Sequence, residues 1–269
     1  MKPSLLLSGL AAALLFSGCQ VVPETGRKQL MLVSPAEEAR TGLAAFSDIK
    51  KSEKISANPA YRAQVERVGK RIADSVMRTP GHQIANAQWE FVVFESEQIN
   101  AFALPGGKVG VYTGLLKLVA SDDELAIVVG HEIAHVTSRH GAERTSQNIA
   151  VAGLGLVLAV GMEQQQVTPA KRNQILLAYG LGTTVGVLLP FSRTHESEAD
   201  RIGLQFAAGA GYDPRAAAAF WRKMSAANKG PKPPPFLSTH PADTDRIAAL
   251  EALAPQYLSL YQSSRLRYE

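Results

Sequence analysis

The order of apolar and polar positions predicts a chain that is mostly helical. Apolar residues recur every three or four positions between Pro59 and Met77, which is the spacing of an amphipathic helix. Short apolar runs at Trp89–Phe94 and Lys108–Tyr112 predict strands. Further helices are predicted at residues 34–49, 122–140, 194–208, 243–254 and from Pro214 onward. The pattern therefore predicts an α+β fold in which helices dominate and the sheet is small.

The helix predicted at residues 122–140 has recognisable signals at both ends. Ser121 followed three positions later by Glu124 is a capping box, which opens a helix. Gly141 is placed to end it, and His140 is interpreted as a side chain that interacts with the helix dipole at that end. The apolar residues between these ends indicate that the helix is largely buried.

Two further apolar stretches follow, at residues 149–162 and 175–189. Each is shorter than the about 20 residues that a transmembrane helix needs. We expect the two stretches to form a buried helical hairpin, and contact with a membrane is the alternative.

Composition places the chain among globular proteins, because 46% of its residues are hydrophobic and 19% are charged. The formal net charge is only +4, and no basic run alternates with aromatic residues, so no nucleic-acid partner is predicted. No domain boundary is visible after the N-terminal segment, and we expect a single domain over residues 34–269.

The N-terminal segment has the features of a bacterial export signal. A positive charge precedes a mostly apolar run at residues 5–16, and small residues follow. The four residues that end at Cys19 resemble a lipobox, in which the cysteine receives lipid after cleavage. We expect a signal peptide at residues 1–18, a tether at 19–33 and a lipid anchor at Cys19, which places the protein in the bacterial periplasm at the outer membrane. The alternatives are an ordinary signal peptide with an incidental cysteine, or a cysteine in the core.

Residues 131–135 read His-Glu-Ile-Ala-His on the capped helix described above. Positions i and i+4 lie one turn apart on the same helix face, so His131 and His135 can bind one metal ion. Glu132 is rotated by about 100° around the axis, which places its carboxylate beside the metal, where it can take a proton from a metal-bound water. This pattern is typical of a catalytic zinc site.

A catalytic zinc usually has three protein ligands, so a third ligand must come from another segment. The acidic segment at residues 192–200 is the best source, because Glu196 and Asp200 are one helical turn apart. One of these carboxylates can bind the metal while the other holds a ligand histidine through its free N–H group. Glu198 is rotated away from that face and is expected to be solvated.

Together these residues resemble zinc metallopeptidases related to the CAAX prenyl proteases and the HtpX heat-shock protease, and more narrowly the periplasmic LoiP and BepA types. The similarity also rests on four shorter motifs, which are Asn100–Gly107, Ser192-Arg193, His240-Pro241 and Arg246-Ile247. The long transmembrane segments of the integral-membrane relatives are not expected. A helical-repeat domain like that of the BepA type is not expected after His240 either.

The resemblance implies a gluzincin fold in which Glu196 is the third zinc ligand and Glu132 is the base. It also implies that an edge strand lines the active-site groove and pairs with an extended substrate. This edge strand is expected to comprise Gly107, Lys108, Val109, Gly110, Val111 and Tyr112.

The expected reaction is hydrolysis of peptide bonds in unfolded or misassembled periplasmic and outer-membrane proteins, with one zinc ion per chain as cofactor. The expected partners are unfolded polypeptides, the membrane through the lipid anchor, and the outer-membrane assembly machinery. One alternative is a chaperone-like assembly lipoprotein that binds clients without cleaving them. A zinc hydrolase that acts on other bonds is a second alternative.

Three side chains are candidates for stabilising the oxyanion, and spacing does not choose among Arg193, His195 and His240. For His195 the alternative is an ordinary surface histidine. For His240 we also consider a latch that occupies the open zinc position in a resting state and moves aside for substrate. The alternative for His240 is a structural contact with the last helix or a backbone carbonyl.

Overall fold

The computed structural model describes residues 19–23, 25–82, 84, 87–184, 188–228, 233–241 and 244–269, with the backbone alone for residues 189–191. The predicted signal peptide, residues 1–18, lies outside the described residues. The chain divides into two compact units. The first unit comprises Met1–Ser34 and Arg139–His195, and the second comprises Pro35–Ser138 and Glu196–Glu269. This division is finer than the single domain expected over residues 34–269.

The elements confirm the predicted fold class, which is α+β and mostly helical with a small sheet. In chain order they are β1 (Cys19–Val21), β2 (Lys28–Leu30), α1 (Pro35–Ser52), α2 (Pro59–Arg78), β3 (Glu90–Phe94), β4 (Ala101–Leu104), β5 (Lys108–Tyr112), α3 (Thr113–Leu118), α4 (Asp122–Thr137), α5 (His140–Gln164), α6 (Pro169–Thr183), α7 (Leu189–Gly209), α8 (Ala216–Ala227), α9 (Pro235–Thr239), α10 (Thr244–Leu253), a 3₁₀ helix (Ala254–Tyr257) and α11 (Leu258–Arg265). The elements that were not predicted are strands β1, β2 and β4 and helices α3, α9 and α11, because each is short and lacks a distinctive pattern. Strands β1 and β2 lie in the segment expected to be a tether.

A three-stranded sheet lies in the second unit, in the order β3-β5-β4. Strand β5 pairs in parallel with β3 and in antiparallel fashion with β4, and its five residues are all buried. The prediction that Gly107–Tyr112 forms an edge strand is therefore wrong, because this segment is central and the outer strands are β3 and β4. The tight turn at Gly106 and Gly107, both with positive φ, folds β4 back against β5.

Helix α4 forms the centre of the second unit and is buried along most of its length. It lies so close to α7 that a Cβ atom on Gly130 would be 2.8 Å from the carbonyl oxygen of Gly203. Glycine at both positions permits this approach, since any side chain would push the two helices apart. His131 follows Gly130 directly, and Asp200 is about one turn before Gly203 on α7, so the close approach brings together the side chains of the two motifs.

The start of α4 agrees with the predicted capping box, whereas its end does not agree with the prediction. The Ser121 hydroxyl accepts a hydrogen bond from the Glu124 N–H, and the Glu124 carboxylate accepts one from the backbone N–H of Ala120. The helix ends at Thr137, before a left-handed residue, Arg139, with φ of 57°.

The expected roles of Gly141 and His140 at the end of this helix are therefore wrong. Both residues belong to the next helix, α5, and His140 is fully buried within the first unit. Arg139 adopts the left-handed conformation, which is uncommon for a residue other than glycine. Because arginine stands at this position, the sequence contains no glycine that would have marked the break.

The first unit contains a short antiparallel pair, β1 with β2, and a hairpin formed by α5 and α6. The two helices touch where the Tyr179 hydroxyl donates to the carbonyl of Val151 at 2.7 Å. The expectation that this hairpin is buried is wrong, since α6 has no buried residue and Leu156 and Leu177 are each 66% exposed. Among the described residues, α5 is the one helix whose length and apolar composition suffice to cross a membrane.

Candidate metal centre

Helix α4 presents the two motif histidines on the same face, as expected for positions one turn apart. The Nε2 atoms of His131 and His135 are 3.0 Å apart. Helix α7 contributes Glu196, whose carboxylate oxygens lie 3.3 Å from His131 Nε2 and 3.4 Å from His135 Nε2. The structure therefore brings together the three side chains that the sequence analysis named as zinc ligands.

These distances fit a zinc ion. Zinc–nitrogen and zinc–oxygen bonds in proteins are about 2.0–2.2 Å long, so tetrahedral ligand atoms lie about 3.3–3.5 Å from one another. Two imidazole nitrogens and one carboxylate are also the ligand types of a gluzincin-like catalytic site. The observed separations of 3.0 to 3.4 Å among His131, His135 and Glu196 match this requirement.

A fourth side chain, His240, comes from the residue that follows α9. Its Nδ1 atom lies 3.1 Å from His131 Nε2 and 2.9 Å from the nearer oxygen of Glu196. One ligand atom from each of the four residues lies within 4.8 Å of the others. We refer to His131, His135, Glu196 and His240 as the metal centre.

Glu132 is buried next to the metal centre. Its Oε1 atom has no hydrogen-bond partner among the described residues and lies 3.4 Å from His240 Nε2. Burial raises the pKa of this carboxyl group, and the nearby His240 and His131 rings offset only part of that effect. A buried carboxylate oxygen without a donor is suited to accept a proton from a water molecule.

Asp200 lies behind the metal centre and holds one of its histidines. Its carboxylate is 3.0 Å from His131 Nδ1, on the side of the ring opposite the ligand nitrogen. This arrangement fixes the ring orientation and leaves Nε2 for the metal. Residue spacing left open which histidine Asp200 contacts, and the structure identifies His131.

Arg246, on α10, completes the support and was not assigned a role from the sequence. It donates to both oxygens of Asp200 at 2.7 and 2.8 Å, and its Nη1 atom lies 3.0 Å from Glu196. Its guanidinium lies 3.6 Å from the ring centroid of Trp221, a cation–π contact. The Arg246-Ile247 motif was the available signal, but nothing in its spacing indicated a partner.

The charged side chains of the metal centre shift one another's pKa values. Burial would lower the pKa of His131, but its bonds with Asp200 and Glu196 outweigh burial and raise the pKa to about 9. Burial would likewise raise the pKa of Glu196, but its contacts with His131, His135 and His240 lower that pKa well below its usual range. The site thus concentrates negative charge where a cation would bind.

The other predicted site residues lie elsewhere. His195 is buried in the first unit, where its Nε2 atom is 2.9 Å from Glu143 and its ring stacks on His140. Neither the oxyanion role nor the alternative of a surface histidine therefore fits His195. Arg193 is exposed. Glu198 is buried, with only 4% of its surface exposed, so the expectation that it is solvated is also wrong.

Residues 59–254 match peptidase family M48, which is more than half of the chain. The chain therefore belongs to this family, and the metal centre is that of a zinc metallopeptidase. The predicted enzyme class and zinc cofactor are confirmed by the family together with the ligand geometry.

Two groups of relatives are similar over most of this chain. It is 34% identical over 257 residues to the mitochondrial metalloendopeptidase OMA1 of Bos taurus, covering 92% of this chain and 48% of that protein. It is 33% identical over 242 residues to the mitochondrial metalloendopeptidase OMA1 of Schizosaccharomyces pombe, covering 90% and 68%. It is 29% identical over 244 residues to the beta-barrel assembly-enhancing protease of Escherichia coli, covering 89% and 48%.

The chain thus spans about half the length of the bovine and bacterial relatives. The similarity to OMA1 was not part of the resemblance seen in the motifs.

Proposed function

We propose that this chain is a zinc-dependent endopeptidase that hydrolyses peptide bonds in unfolded or misassembled proteins of the bacterial periplasm and outer membrane. The observation that carries the proposal is the buried Glu132 oxygen, without a hydrogen-bond donor among the described residues, beside three ligand side chains. The likeness to a beta-barrel assembly-enhancing protease supports the substrate class, and the lipobox-like sequence at Cys19 supports the location.

In the proposed mechanism, His131, His135 and Glu196 hold the zinc ion. Zinc, when bound, supplies Lewis-acid activation of the attacking water and of the scissile carbonyl. Glu132 accepts the proton of the attacking water and returns it to the nitrogen of the leaving amine. Asp200 keeps the His131 ring in the orientation that directs Nε2 toward the metal, and Arg246 holds Asp200 in turn.

An extended substrate is proposed to pair with β4 by main-chain hydrogen bonds, because β4 is the outer strand on the side of the sheet where α4 packs. Strand β4 thus replaces the Gly107–Tyr112 segment as the strand proposed to pair with substrate. The backbone N–H of Phe236 donates to the carbonyl of Ile99 at 3.3 Å, just before β4 begins. Helix α9, which precedes His240, therefore lies next to the start of the proposed substrate strand.

This contact supports the latch hypothesis for His240. We propose that the His240 ring fills the open ligand position in a resting state and that a substrate entering along β4 displaces α9. The ring centroids of Phe236 and His240 are 4.8 Å apart, so a shift of α9 would move the histidine with it. Of the three candidate oxyanion donors, His240 is the one within the metal centre, so it can also serve the transition state after it moves.

Cleavage of an unfolded protein such as casein by wild type and by Glu132→Gln tests the proposal. We expect the variant to retain zinc but to lose about 10²–10⁴-fold in kcat/KM, since that is the usual contribution of a general base. Glu124→Gln is the matched control, because Glu124 is a buried carboxylate on the same helix that pairs with Lys223.

Undiminished turnover in Glu132→Gln would rule out the mechanism. Tight binding of casein without cleavage by zinc-loaded wild type would favour the chaperone-like alternative, in which the same groove holds clients. Cleavage of small esters but not of any polypeptide would favour a zinc hydrolase of another class.

A further inference from the structure

The hairpin of the first unit has an apolar surface that the described residues do not cover. We call residues 145–184 the apolar hairpin. Large side chains point outward from both helices, and Leu156, Val157 and Leu177 are each 66% exposed. Others with about half or more of their surface exposed are Ile149, Leu154, Val160 and Leu181. Leaving side chains of this size in water forgoes about 1.5–3 kcal/mol each, so a hairpin that exposes this many of them favours a covering partner.

The charges of the hairpin lie at its two ends. No Asp, Glu, Lys or Arg occurs between Arg144 and Glu163. A helix of about 18 residues is about 27 Å long, which is close to the about 30 Å of a bilayer's hydrocarbon core. At the turn between the helices, Glu163 and Arg172 lie 4.0 Å apart, beside Lys171. This distribution matches a lipid interior with a polar face on each side.

Several glycines in both helices have no packing role among the described residues. A Cβ atom built on Gly153, Gly161, Gly180 or Gly182 would meet no described atom within 4 Å. Glycine within a helix costs about 0.5–1 kcal/mol relative to alanine in water. Glycine is more frequent in transmembrane helices than in soluble ones. These positions therefore agree better with a lipid environment than with a solvated helix.

The N-terminal strand indicates which partner covers the hairpin. Arg139 donates to the Gln20 side chain at 2.5 Å and to the carbonyl of Val33 at 2.8 Å. Arg27 forms a two-pronged bond with Glu143, in the first turn of α5, at 2.7 and 2.8 Å. Cys19, next to Gln20, is exposed and is therefore held at the charged base of the hairpin. A lipid on Cys19 would bring a bilayer to this base.

We propose that the apolar hairpin inserts into the bilayer that receives the Cys19 lipid, with the Glu163–Arg172 turn at the far headgroup region. The hairpin is then a second membrane anchor, independent of the lipid. This inference goes beyond the proposed peptidase function, because it assigns a binding activity to the first unit.

A unique thiol gives a direct test. Cys19 is the only cysteine of the chain, so Cys19→Ser with Leu156→Cys leaves one site for an environment-sensitive fluorophore. Vesicles of phosphatidylethanolamine and phosphatidylglycerol should shift the emission of this label to the blue, and lipid-borne quenchers in the acyl chains should quench it. Leu266→Cys in the same background is the matched control, because Leu266 is 70% exposed in the second unit. Its label should not respond.

Vesicle flotation of the unlipidated protein provides the second measurement. In the Cys19→Ser background, Leu156→Glu and Leu177→Glu should each weaken flotation by about 100-fold, since a charge at mid-membrane is strongly disfavoured. Met77→Glu and Leu266→Glu, at exposed apolar positions of the second unit, should leave flotation unchanged. Cleavage of a short soluble peptide should be equal in all of these variants, which separates this proposal from the peptidase mechanism.

Two results would overturn the proposal. The first is a Leu156→Cys label that stays in water with vesicles present, together with flotation of the lipidated wild type that Cys19→Ser abolishes. The second is a lipid-free dimer that Leu156→Glu converts to a monomer without any effect of vesicles, which would assign the surface to a second copy of the chain.

Discussion

The described part of the chain contains two buried groups of histidine and carboxylate side chains, one in each unit. The metal centre in the second unit has three histidines around Glu196. The Glu143 cluster in the first unit comprises Arg27, His140, Glu143, Gln147 and His195. Both contain the residue types of a zinc site, yet among the described residues only the metal centre forms a group that could hold a metal.

The difference lies in what occupies the carboxylate oxygens. Each oxygen of Glu143 accepts one hydrogen bond from Arg27. One of these oxygens also bonds Gln147, and the other also bonds His195. One oxygen of Glu196 lies 3.0 Å from Arg246, but both oxygens also face ring nitrogens of His131, His135 and His240. A histidine–carboxylate cluster can thus hold a metal when several ring nitrogens and a carboxylate meet at one point, whereas a two-pronged guanidinium bond that takes both carboxylate oxygens makes the cluster structural.

Removing the central carboxylate of each group should have the largest and most different effects. Glu196→Ala should lose zinc and peptidase activity together, because one of three ligands is gone. Glu143→Gln should retain about one zinc per chain. Metal analysis of the folded proteins checks both expectations, and full zinc content with full activity in Glu196→Ala would show that the ligand assignment is wrong.

The Glu143 cluster should instead contribute to stability. Removing one partner of a buried ion pair costs about 3–5 kcal/mol, so Glu143→Gln should lower the free energy of unfolding by about that amount in urea titrations. The exposed pair Lys54–Glu95 is the matched control, and Glu95→Gln should change stability by less than about 1 kcal/mol. Equal stability of the two variants would mean that the cluster contributes nothing to folding.

The same cluster predicts a pH dependence. Burial opposes ionisation, but His195 and Arg27 lower the pKa of Glu143 to about 2, below its value in an unfolded chain. A lowered folded-state pKa gives stability that is present above about pH 4.3 and is lost as the pH falls toward 2. Glu143→Gln should therefore lose less stability than wild type over this acid range, as measured by unfolding at a series of pH values.

Asp200 should affect the metal centre less than a ligand does. Asp200→Asn keeps the shape of the side chain but weakens its bond with His131, so zinc affinity should fall by about 10–100-fold without being abolished. Competition with a chelator measures this change. An unchanged affinity would indicate that Asp200 serves mainly as the partner of Arg246.

The smallest effect is expected for His240→Ala. If His240 acts as a latch, the variant should cleave unfolded protein faster, by up to about tenfold. A tenfold change corresponds to about 1.4 kcal/mol, the free energy expected for the contact between the ring and the metal. If the ring stabilises the transition state instead, cleavage should be slower with zinc retained. Unchanged cleavage and zinc content would leave His240 with a purely structural role.

Local signals predicted much of this molecule, because they depend on neighbouring residues. The capping box at Ser121 marked the start of α4, and the spacing of His131 and His135 placed both rings on one face. The strand Lys108–Tyr112 has its predicted bounds. Its place in the sheet was wrong, because strand order depends on pairing between distant segments that no local pattern reports.

The apolar hairpin is a second case in which a local pattern predicted the elements but not their surroundings. The apolar runs predicted two helices that touch, which the structure contains. Their burial was predicted wrongly, because an apolar helix in a core and one facing lipid have similar sequences, and only the packing around them distinguishes the two. The break at Arg139 was missed because a left-handed arginine is held by its tertiary contacts, among them those with Gln20 and Val33.

The sequence by itself determined the residues that can carry the chemistry, since His131, Glu132 and His135 are positioned relative to one another by one helix. Short, local motifs also indicated a zinc metallopeptidase, which the match to peptidase family M48 confirms, while the narrower likeness to the HtpX and LoiP types stays a prediction. Only the tertiary structure decided the partners of these residues. The approach of Gly130 to Gly203 brings α7 to α4, Arg246 joins Asp200 to Glu196, and α9 delivers His240. Each of these contacts joins segments far apart in sequence, and their geometry follows from helix packing, which residue spacing does not encode.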